Sequence, residues 1–323
     1  MMQKSEKPFE RTPIIALGTM TYGAQTSASD ADRMLRMFLD EGHRWVDTAF
    51  MYTEGRSEMI LGRLLKGRMR EKAFLATKAY PDKLGKGKPR GLTPGSVRGQ
   101  LETSLRRLRM DHVDLFYLHA PDNRTPLEVT LAACQDLARE GKTRTIGLSN
   151  YASWQAAEAA LICARNGWRP PVIYQGMYNA VTRDVERECI PSCRHFGLRF
   201  IAYNPLAGGL LTGKHADPSA IPATGRFSGE YYRDRYWKGE YFAAVGALQQ
   251  AARKNRIPLA AASLRWLLHH SRSDGLILGA SQVEHLRENL AACRKGPLPP
   301  PFVRAFDQVW ERTKPVCQRY FRD

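Results

Sequence analysis

The sequence predicts a single α/β domain over residues 1–323: a (β/α)8 barrel of the TIM-barrel class, with long active-site loops at the carboxyl face of its strands. Two observations support this fold class. The length of 323 residues suits one such barrel, which needs about 250 residues plus insertions. Apolar runs and amphipathic segments also alternate along the chain, and eight alternating units predict parallel strands closed into a barrel.

Eight short apolar runs are the predicted strands, because such runs are typical of buried parallel strands. They lie at residues 13–18, 44–47, 73–78, 112–119, 145–148, 172–175, 199–203 and 275–278. The first and last runs lie near the two ends of the chain, so the barrel is predicted to use almost the whole sequence.

Amphipathic segments between the runs are the predicted helices. Residues 28–41 place apolar side chains at helical spacing and are followed by Gly42, a typical helix stop. Another helix is predicted to begin at Thr93, and residues 126–139 repeat the pattern. Residues 215–237 break the alternation with proline, glycine and many aromatic residues, which predicts a long loop at the active-site end.

The net charge of +17, from 49 Lys and Arg against 32 Asp and Glu, raises the question of a nucleic-acid partner. Nucleic-acid binders concentrate basic residues in a run or on one face. Here the basic residues are spread along the chain among acidic ones, and no nucleic-acid motif occurs. We therefore predict an arginine-rich surface and no nucleic-acid partner, with part of the excess charge available to attract an anionic ligand.

The six cysteines are predicted to be reduced structural thiols. They are scattered, and no Cys-x-x-Cys pair occurs. Cys189 and Cys193 lie four residues apart near His195, but zinc needs three or four converging ligands. We therefore predict no metal site.

The sequence also bears on the location of the protein. No apolar run approaches the roughly 20 residues of a membrane helix. The amino terminus has no apolar core of the kind found in secretory signals. We therefore expect no membrane partner and a cytoplasmic location.

Four polar residues stand at, or a few residues past, the ends of the second, third and fourth predicted strands: Asp47, Tyr52, Lys78 and His119. Parallel strands of a barrel all end on one face, so these side chains are predicted to converge there. A phenol, an ammonium, a carboxylate and an imidazole can together deliver a proton to a carbonyl. Each residue alone also suits a structural role, as a helix cap, a solvated strand end or a core histidine; their common position favours catalysis.

Residues 208–215 have the sequence GGLLTGKH, which departs from the nucleotide-binding pattern G-x-x-x-x-G-K-[ST] only at its last position. The magnesium ligand of that pattern is therefore missing, and we do not predict an ATPase. Glycines and a lysine still suit a phosphate, and barrels often bind phosphate in the loops after strands seven and eight. Together with Gly279 and Ser281 after the eighth run, this loop predicts a dinucleotide site without a G-x-G-x-x-G fingerprint.

Longer motifs are spread over nearly the whole chain. In order, they are LGTM at 17–20, DTAFMY at 47–52, ATK at 76–78, VDLFYLHAP at 113–121, GLSNY at 147–151, YQGMYN at 174–179, AYNPLAGG at 202–209 and YFR at 320–322. Through these motifs the chain resembles the aldo-keto reductases, and within that superfamily the aflatoxin-aldehyde and succinic-semialdehyde reductase group.

The resemblance implies reduction of aldehydes, and of ketones as a further substrate class, by hydride transfer from NADPH. It implies that Tyr52 is the general acid and that Lys78 lowers the pKa of its phenol. Asp47 would hold Lys78 in place, and His119 would orient the substrate oxygen.

The resemblance also implies a set of cofactor contacts. Three of these residues would hydrogen-bond the carboxamide and Tyr203 would stack on the nicotinamide ring, while others would line the pyrophosphate or hold the adenosine end. His285 departs from the glutamine that the family usually has near the adenosine 2′-phosphate. The full set is Thr19, Met20, Ser149, Asn150, Gln175, Tyr203, Asn204, Leu206, Gly208, Lys214, Arg226, Gly279, Ser281, His285, Glu288 and Asn289.

The substrate end of the site is expected to involve Met51, Tyr232 and Arg322. In the related group an arginine near the carboxyl terminus binds the carboxylate of small aldehyde acids, and Arg322 matches it. A preference for small or anionic aldehydes follows from the resemblance, although residues 225–237 depart from the animal relatives. A homodimer is expected because relatives in this group are often dimers.

Two other functions stay open. One is a biosynthetic ketoreductase that acts on a sugar or polyketide intermediate, which the altered loop allows. The other is a cofactor-binding regulatory subunit without significant turnover, and the complete set of four catalytic residues argues against it.

Overall fold

Eight parallel strands close into a barrel in which each strand lies beside its neighbours in the chain. The computed structural model describes residues 12–81 and 91–322. The strands are β1 (Ile14–Gly18), β2 (Trp45–Asp47), β3 (Phe74–Ala79), β4 (Val113–Leu118), β5 (Thr143–Ser149), β6 (Ile173–Met177), β7 (Arg199–Tyr203) and β8 (Gly275–Gly279). All eight predicted runs coincide with strands, and β1 pairs with β8 to close the barrel. The predicted fold class is confirmed.

Helices and short 3-10 turns connect the strands. Within the described ranges the α-helices are α1 (Ala28–Asp40), α2 (Arg56–Leu64), α3 (Arg68–Lys72), α4 (Pro94–Leu108), α5 (Leu127–Arg139), α6 (Ser153–Arg165), α7 (Cys189–His195), α8 (Glu230–Tyr236), α9 (Gly239–Asn255), α10 (Leu259–His269), α11 (Val283–Cys293) and α12 (Pro300–Thr313). The 3-10 turns lie at Tyr52–Gly55, Asp184–Glu186, Ala207–Thr212, Arg226–Ser228 and Lys314–Val316. None of these helices combines the length and the apolar character needed to cross a bilayer.

The predicted helix starts follow from side-chain caps. The Ser27 hydroxyl accepts a hydrogen bond from the Asp30 amide (3.0 Å) at the start of α1. The Thr93 hydroxyl accepts one from the Ser96 amide (3.3 Å) at the start of α4, where Pro94 has no amide to satisfy. Helix α1 buries the apolar stripe that its sequence predicts, namely Met34, Leu35, Phe38 and Leu39.

The barrel interior is packed with side chains from alternate strand positions, as in other barrels of this type. This inner cluster consists of Ile14, Ala16, Ala76, Leu115, Tyr117, Ile173, Ile201 and Ile277. The strand register then places the polar residues above it. Asp47 is level with Gly18 on β1 and Ala76 on β3, and Lys78 lies two residues farther toward the carboxyl end of β3. Because side chains alternate along a strand, Lys78 is on the same side as Ala76 and nearer the rim.

The segment 215–237 is more ordered than the predicted long loop. It contains the 3-10 turn Arg226–Ser228 and helix α8. The ring of His215 lies edge-on to Phe227 (5.2 Å between centroids) and to Trp237 (5.4 Å), and Phe227 contacts Trp237 (4.8 Å). The prediction of a long loop over the whole segment was wrong, because Phe227 and Trp237 pack on each other and on the main hydrophobic core.

The cysteines are all free thiols, and Cys189 and Cys193 are buried on α7. Across residues 12–81 and 91–322, no cluster of three or more His, Cys, Asp or Glu side chains is placed to hold a metal ion. Burial raises the pKa of the Cys134 thiol to about 12, so this thiol is protonated at neutral pH and unreactive.

Candidate active site

A cavity of about 930 Å³ lies at the carboxyl ends of the strands, within the usual size range of small-molecule sites. Seven strands contribute a lining residue at their last position or directly after it, and β6 contributes Gln175, two residues before its end. In strand order these residues are Gly18, Asp47, Tyr80, His119, Asn150, Gln175, Tyr203 and Gly279. The convergence predicted from the strand ends is therefore present.

A buried ion pair lies at the base of the cavity. The Lys78 ammonium is fully buried and pairs with the Asp47 carboxylate. It also donates hydrogen bonds to the Thr48 carbonyl (2.7 Å) and to the Tyr52 hydroxyl (3.3 Å). The second Asp47 oxygen accepts a hydrogen bond from the Gln175 amide (2.9 Å). The phenol, the ammonium and the carboxylate thus form one connected chain.

The loop after β2 presents the Tyr52 hydroxyl to Lys78. The Tyr52 amide donates to the Ala49 carbonyl (3.1 Å), which starts the 3-10 turn Tyr52–Gly55. Thr53 and Glu54 then have φ of 47° and 58°, in the left-handed region that non-glycine residues rarely adopt. The Thr53 hydroxyl donates to the Tyr22 carbonyl (2.8 Å) and helps to hold this conformation.

The pKa of Tyr52 is shifted in the opposite direction from the sequence-based expectation. Enclosure of the phenol within the protein raises its pKa well above the usual value near 10, and the Asp47 carboxylate raises it further. The cation of Arg226 has the opposite effect and lowers the pKa of Tyr52. Loss of solvent thus outweighs the Arg226 cation in the net shift, and the lowering effect of Lys78 on the pKa of Tyr52 stays a prediction. Tyr52 is therefore fully protonated at neutral pH, as a proton donor must be.

His119 follows β4 directly and lies beside the Tyr52 ring. Its ring lies edge-on to the rings of Tyr52 (5.9 Å) and Tyr80 (5.5 Å). Its Nδ1 is buried and has no hydrogen-bond partner among the described residues. Enclosure lowers the pKa of His119 well below its usual value, and the cations of Lys78 and Arg322 lower it further. The imidazole is therefore neutral at physiological pH and can donate one hydrogen bond.

The lowered pKa of His119 predicts a loss of stability in acid. As the pH falls below about 6.5, this histidine binds a proton in the unfolded chain but not in the folded one. The free energy of unfolding should then fall by up to about 1.4 kcal/mol per pH unit on account of this group. Urea unfolding of the wild type and of His119→Asn between pH 7.5 and 5.0 checks this. The variant should show the shallower pH dependence, and equal slopes would contradict the expectation.

The loops after β7 and β8 form the opposite end of the cavity. Gly208 and Gly209 have φ of 71° and 111°, which glycine adopts without strain. A Cβ at Gly208 would lie 2.9 Å from the Tyr232 ring. The Arg226 guanidinium donates to Asn204 Oδ1 and to the Tyr232 hydroxyl (3.0 Å each). A cation and a glycine turn are thus held together at this end.

Two further arginines line the same cavity. Arg322 donates to the hydroxyls of Tyr80 (2.8 Å) and Tyr231. Arg235 is only 8% exposed, donates to the Tyr231 hydroxyl (2.6 Å), and has a buried Nε without a partner among the described residues. In the described ranges, neither guanidinium is paired with a carboxylate. Both cations are available to an anionic ligand.

Comparison with known proteins identifies the family. The model of the aldo/keto reductase family matches residues 14–311. The chain belongs to this family. This aldo/keto reductase is therefore an oxidoreductase, and members of its family use nicotinamide cofactors.

Several curated relatives cover almost the whole chain. Aflatoxin B1 aldehyde reductase member 2 of Homo sapiens is 51% identical over 323 residues, which cover 95% of this chain and 89% of the human protein. Aldo-keto reductase family 7 member A3 of Homo sapiens is 48% identical, with coverage of 96% and 97%. An aldo-keto reductase of Pseudocercospora fijiensis is 36% identical, with coverage of 89% and 100%. The motifs found in the sequence thus reflect similarity over the full barrel.

The structure gathers most of the predicted site residues of this aldo/keto reductase around one cavity. Lys78 is buried beneath the cavity and donates a hydrogen bond to Tyr52, which lines it. Thr19 and Ser149 are fully buried in the wall: the Thr19 hydroxyl donates to the Asp47 carbonyl (3.0 Å), and the Ser149 hydroxyl accepts from Asn150 Nδ2 (3.0 Å). The predicted residues that line the cavity are Asp47, Tyr52, His119, Met20, Asn150, Gln175, Tyr203, Asn204, Leu206, Gly208, Lys214, Arg226, Gly279, Ser281, His285, Glu288, Asn289, Met51, Tyr232 and Arg322.

The predicted set of site residues omits several lining residues, among them Tyr80, Tyr231 and Arg235. Tyr80 follows β3 directly, so the rule that selected Lys78 could also have selected it. Arg235 and Tyr231 lie on α8 and are four residues apart, hence on one helix face. The orientation of both side chains toward the cavity could not be predicted once residues 215–237 had been assigned as a loop.

Proposed function

We propose that this aldo/keto reductase reduces aldehydes to alcohols with NADPH, that Tyr52 is the general acid, and that small or anionic aldehydes are preferred. The observation that carries the proposal is the position of the Tyr52 hydroxyl, 3.3 Å from the buried Lys78 ammonium and on the wall of the cavity. The names of the mammalian relatives, which are aldehyde reductases, support the choice of aldehydes.

The residues that the cavity presents fit a nicotinamide dinucleotide. Left-handed glycines, Lys214 and Arg226 provide backbone amides and cations for a pyrophosphate. Tyr203 is oriented by the hydrogen bond from its hydroxyl to Asn150 Oδ1 (2.6 Å) and would stack on the nicotinamide. Residues 285, 288 and 289 lie at helical spacing on α11 and would hold the adenosine end.

Proton delivery then follows from the connected chain at the base of the cavity. When bound, the nicotinamide supplies a hydride to the carbonyl carbon. The Tyr52 hydroxyl donates its proton to the carbonyl oxygen, and the ammonium of Lys78 stabilises the phenolate that forms. Asp47 keeps that ammonium charged and in place despite its burial. The neutral imidazole of His119 donates a hydrogen bond to the same carbonyl oxygen and orients it.

The preference for NADPH over NADH rests on positive charge near the adenosine end. His285 is exposed at the cavity rim on α11, where the family usually has glutamine. A neutral histidine can still donate one hydrogen bond to a 2′-phosphate, and a protonated one would attract it. Titration of both cofactors by fluorescence measures this preference directly.

Oxidation of NADPH against a panel of aldehydes, ketones and keto-sugars tests the proposed reaction. We expect turnover with small aldehydes and faster turnover with carboxylated ones. Turnover confined to ketones or keto-sugars would replace the proposal with a biosynthetic ketoreductase. Tight cofactor binding without turnover of any carbonyl would indicate a regulatory subunit.

The carboxylate role of Arg322 gives a separate prediction. Substitution Arg322→Ala should raise the Michaelis constant for succinic semialdehyde by about 10- to 100-fold, the range expected for loss of a charged hydrogen bond. Butanal has the same chain length and no carboxylate, so its kinetics should change little. An unchanged Michaelis constant for succinic semialdehyde would contradict the role. Arg235→Ala extends the test to the second unpaired cation of the cavity.

A further inference from the structure

A buried ion pair outside the cavity connects the parts of the chain that carry the proton-delivery residues. Glu58, in the first turn of α2, has a fully buried side chain, and Arg107, near the end of α4, has a side chain that is 24% exposed. Arg107 Nη1 lies 3.0 Å from Glu58 Oε2. Neither residue lines the cavity, and the proposed mechanism does not use either one.

Arg107 holds the loop that carries Tyr52 at both of its ends. Its Nη1 also donates a hydrogen bond to the Phe50 carbonyl (2.8 Å), and its guanidinium lies 4.6 Å from the centre of the Phe50 ring. At the other end of the loop, a Cβ on Gly55 would lie 2.4 Å from the guanidinium carbon. The glycine at this position therefore allows the loop backbone to pack directly against Arg107.

The loop between these two contacts has an unfavourable backbone conformation. Thr53, Glu54 and Gly55 have consecutive φ values of 47°, 58° and 88°. Two of these three residues are not glycine, and such residues keep a left-handed conformation only where the surroundings impose it. Arg107 contacts the residue two positions before Tyr52 and the residue three positions after it. It is therefore placed to impose the conformation that directs the Tyr52 hydroxyl at Lys78.

Glu58 connects the same pair to the strand that carries Lys78. Its Oε1 accepts a hydrogen bond from the Thr77 hydroxyl (2.7 Å), and Thr77 is the residue before Lys78 on β3. Side chains alternate along a strand, so Thr77 points out of the barrel and Lys78 points in. One buried carboxylate thus connects the strand of the ammonium, through Arg107, to the loop of the phenol.

We infer that Glu58 and Arg107 are positioning residues that keep the Tyr52 hydroxyl within hydrogen-bond distance of Lys78. This inference rests on the proposed role of Tyr52 as the general acid. The pair acts through the loop Phe50–Gly55 and through β3, and it touches neither substrate nor cofactor. Its loss should therefore lower kcat while leaving cofactor affinity unchanged.

The charge-neutral double variant Arg107→Met/Glu58→Gln is the main test, because it leaves no unpaired charge in the interior. We expect kcat with a small aldehyde to fall by about 10- to 100-fold, since a displacement of about 1 Å in a catalytic group has effects of this size. The dissociation constant of NADPH, measured by fluorescence, should stay within about twofold of the wild type because no cofactor contact is removed. The conservative variant Arg107→Lys keeps the cation and should recover most of kcat.

Arg106→Met is the matched control, because Arg106 is exposed on the same helix and its guanidinium donates, within the described part of the chain, only to the Thr103 hydroxyl (2.7 Å). Its kcat should equal that of the wild type. Hydrogen–deuterium exchange supplies a readout that does not depend on activity: amides of residues 50–57 should exchange faster in the double variant and not in the control.

The possible outcomes distinguish failure of the positioning role from failure of the proposed function. Wild-type kcat and unchanged exchange in the folded double variant would overturn the positioning role. Equal losses of kcat and of NADPH affinity, with no recovery in Arg107→Lys, would also overturn it and indicate a general structural role. If the wild type itself reduces no carbonyl compound, the proposed function fails, and the exchange comparison still decides whether the pair holds the loop.

Discussion

Substitution Tyr52→Phe should lower kcat by about 10²- to 10⁴-fold, the usual contribution of a positioned general acid. The variant loses the hydroxyl oxygen that accepts a hydrogen bond from the Lys78 ammonium at 3.3 Å. The ring itself stays, so the edge-on contact with His119 and the shape of the cavity are kept. Single-turnover measurements with bound NADPH would show whether the loss lies in the chemical step.

Cofactor binding provides the internal check on this variant. NADPH should bind Tyr52→Phe within about twofold of the wild type, because only a transition-state interaction has been removed. Tyr22→Phe is the matched control: Tyr22 is a fully buried tyrosine outside the cavity, and its hydroxyl makes one long hydrogen bond among residues 12–81 and 91–322, of 3.5 Å to the Ala31 carbonyl. Its kcat should equal that of the wild type. Retained turnover in Tyr52→Phe would remove this residue from the mechanism.

The barrel was predictable from the sequence because both of its periodic signals are local. Each strand is a short apolar run, and longer helices such as α1 and α4 show their apolar stripe within one segment. The positions of Asp47 and Lys78 followed from the same signals. Once the strands are parallel and neighbouring, their carboxyl ends must meet on one face, and the register places Asp47 level with Ala76, two residues before Lys78.

Properties that depend on the surroundings of a side chain were not predictable in the same way. The net direction of the Tyr52 pKa shift is set by how completely the folded loops exclude water, and no residue near Tyr52 in the sequence encodes that. Helix α8 packs aromatic side chains on rings outside it, Tyr232 on Phe227 and Tyr236 on Tyr241, and a search for helical periodicity does not detect such contacts. The direction of Arg235 toward the cavity depends on that helix.

The Glu58–Arg107 pair could not be predicted from the sequence either, because its contacts join distant parts of the chain. The two residues are 49 positions apart in the sequence, and each alone resembles an ordinary charged residue on an amphipathic helix. Their importance comes from three contacts that exist only in the folded chain, with Phe50, Gly55 and Thr77. A single sequence carries no signal of such a network.

The second large effect is expected from Lys78→Met. The ammonium of Lys78 is fully buried, and its removal leaves the Asp47 carboxylate, which is 5% exposed, with the Gln175 amide as its remaining side-chain partner. Breaking a buried ion pair on one side typically costs about 3–5 kcal/mol. We therefore expect a drop of this size in the free energy of unfolding, measured with urea at pH 7.5, together with near-complete loss of turnover.

The double variant Asp47→Asn/Lys78→Met separates stability from catalysis. It removes both charges, and the amide oxygen of Asn at position 47 can still accept the hydrogen bond from Gln175, so most of the lost stability should return. Turnover should stay as low as in Lys78→Met, because no cation is left to stabilise the phenolate of Tyr52. A double variant as unstable as the single one would show that the unpaired carboxylate is not the cause of the destabilisation. Recovery of kcat together with stability would show that Lys78 serves the fold alone and has no part in proton delivery.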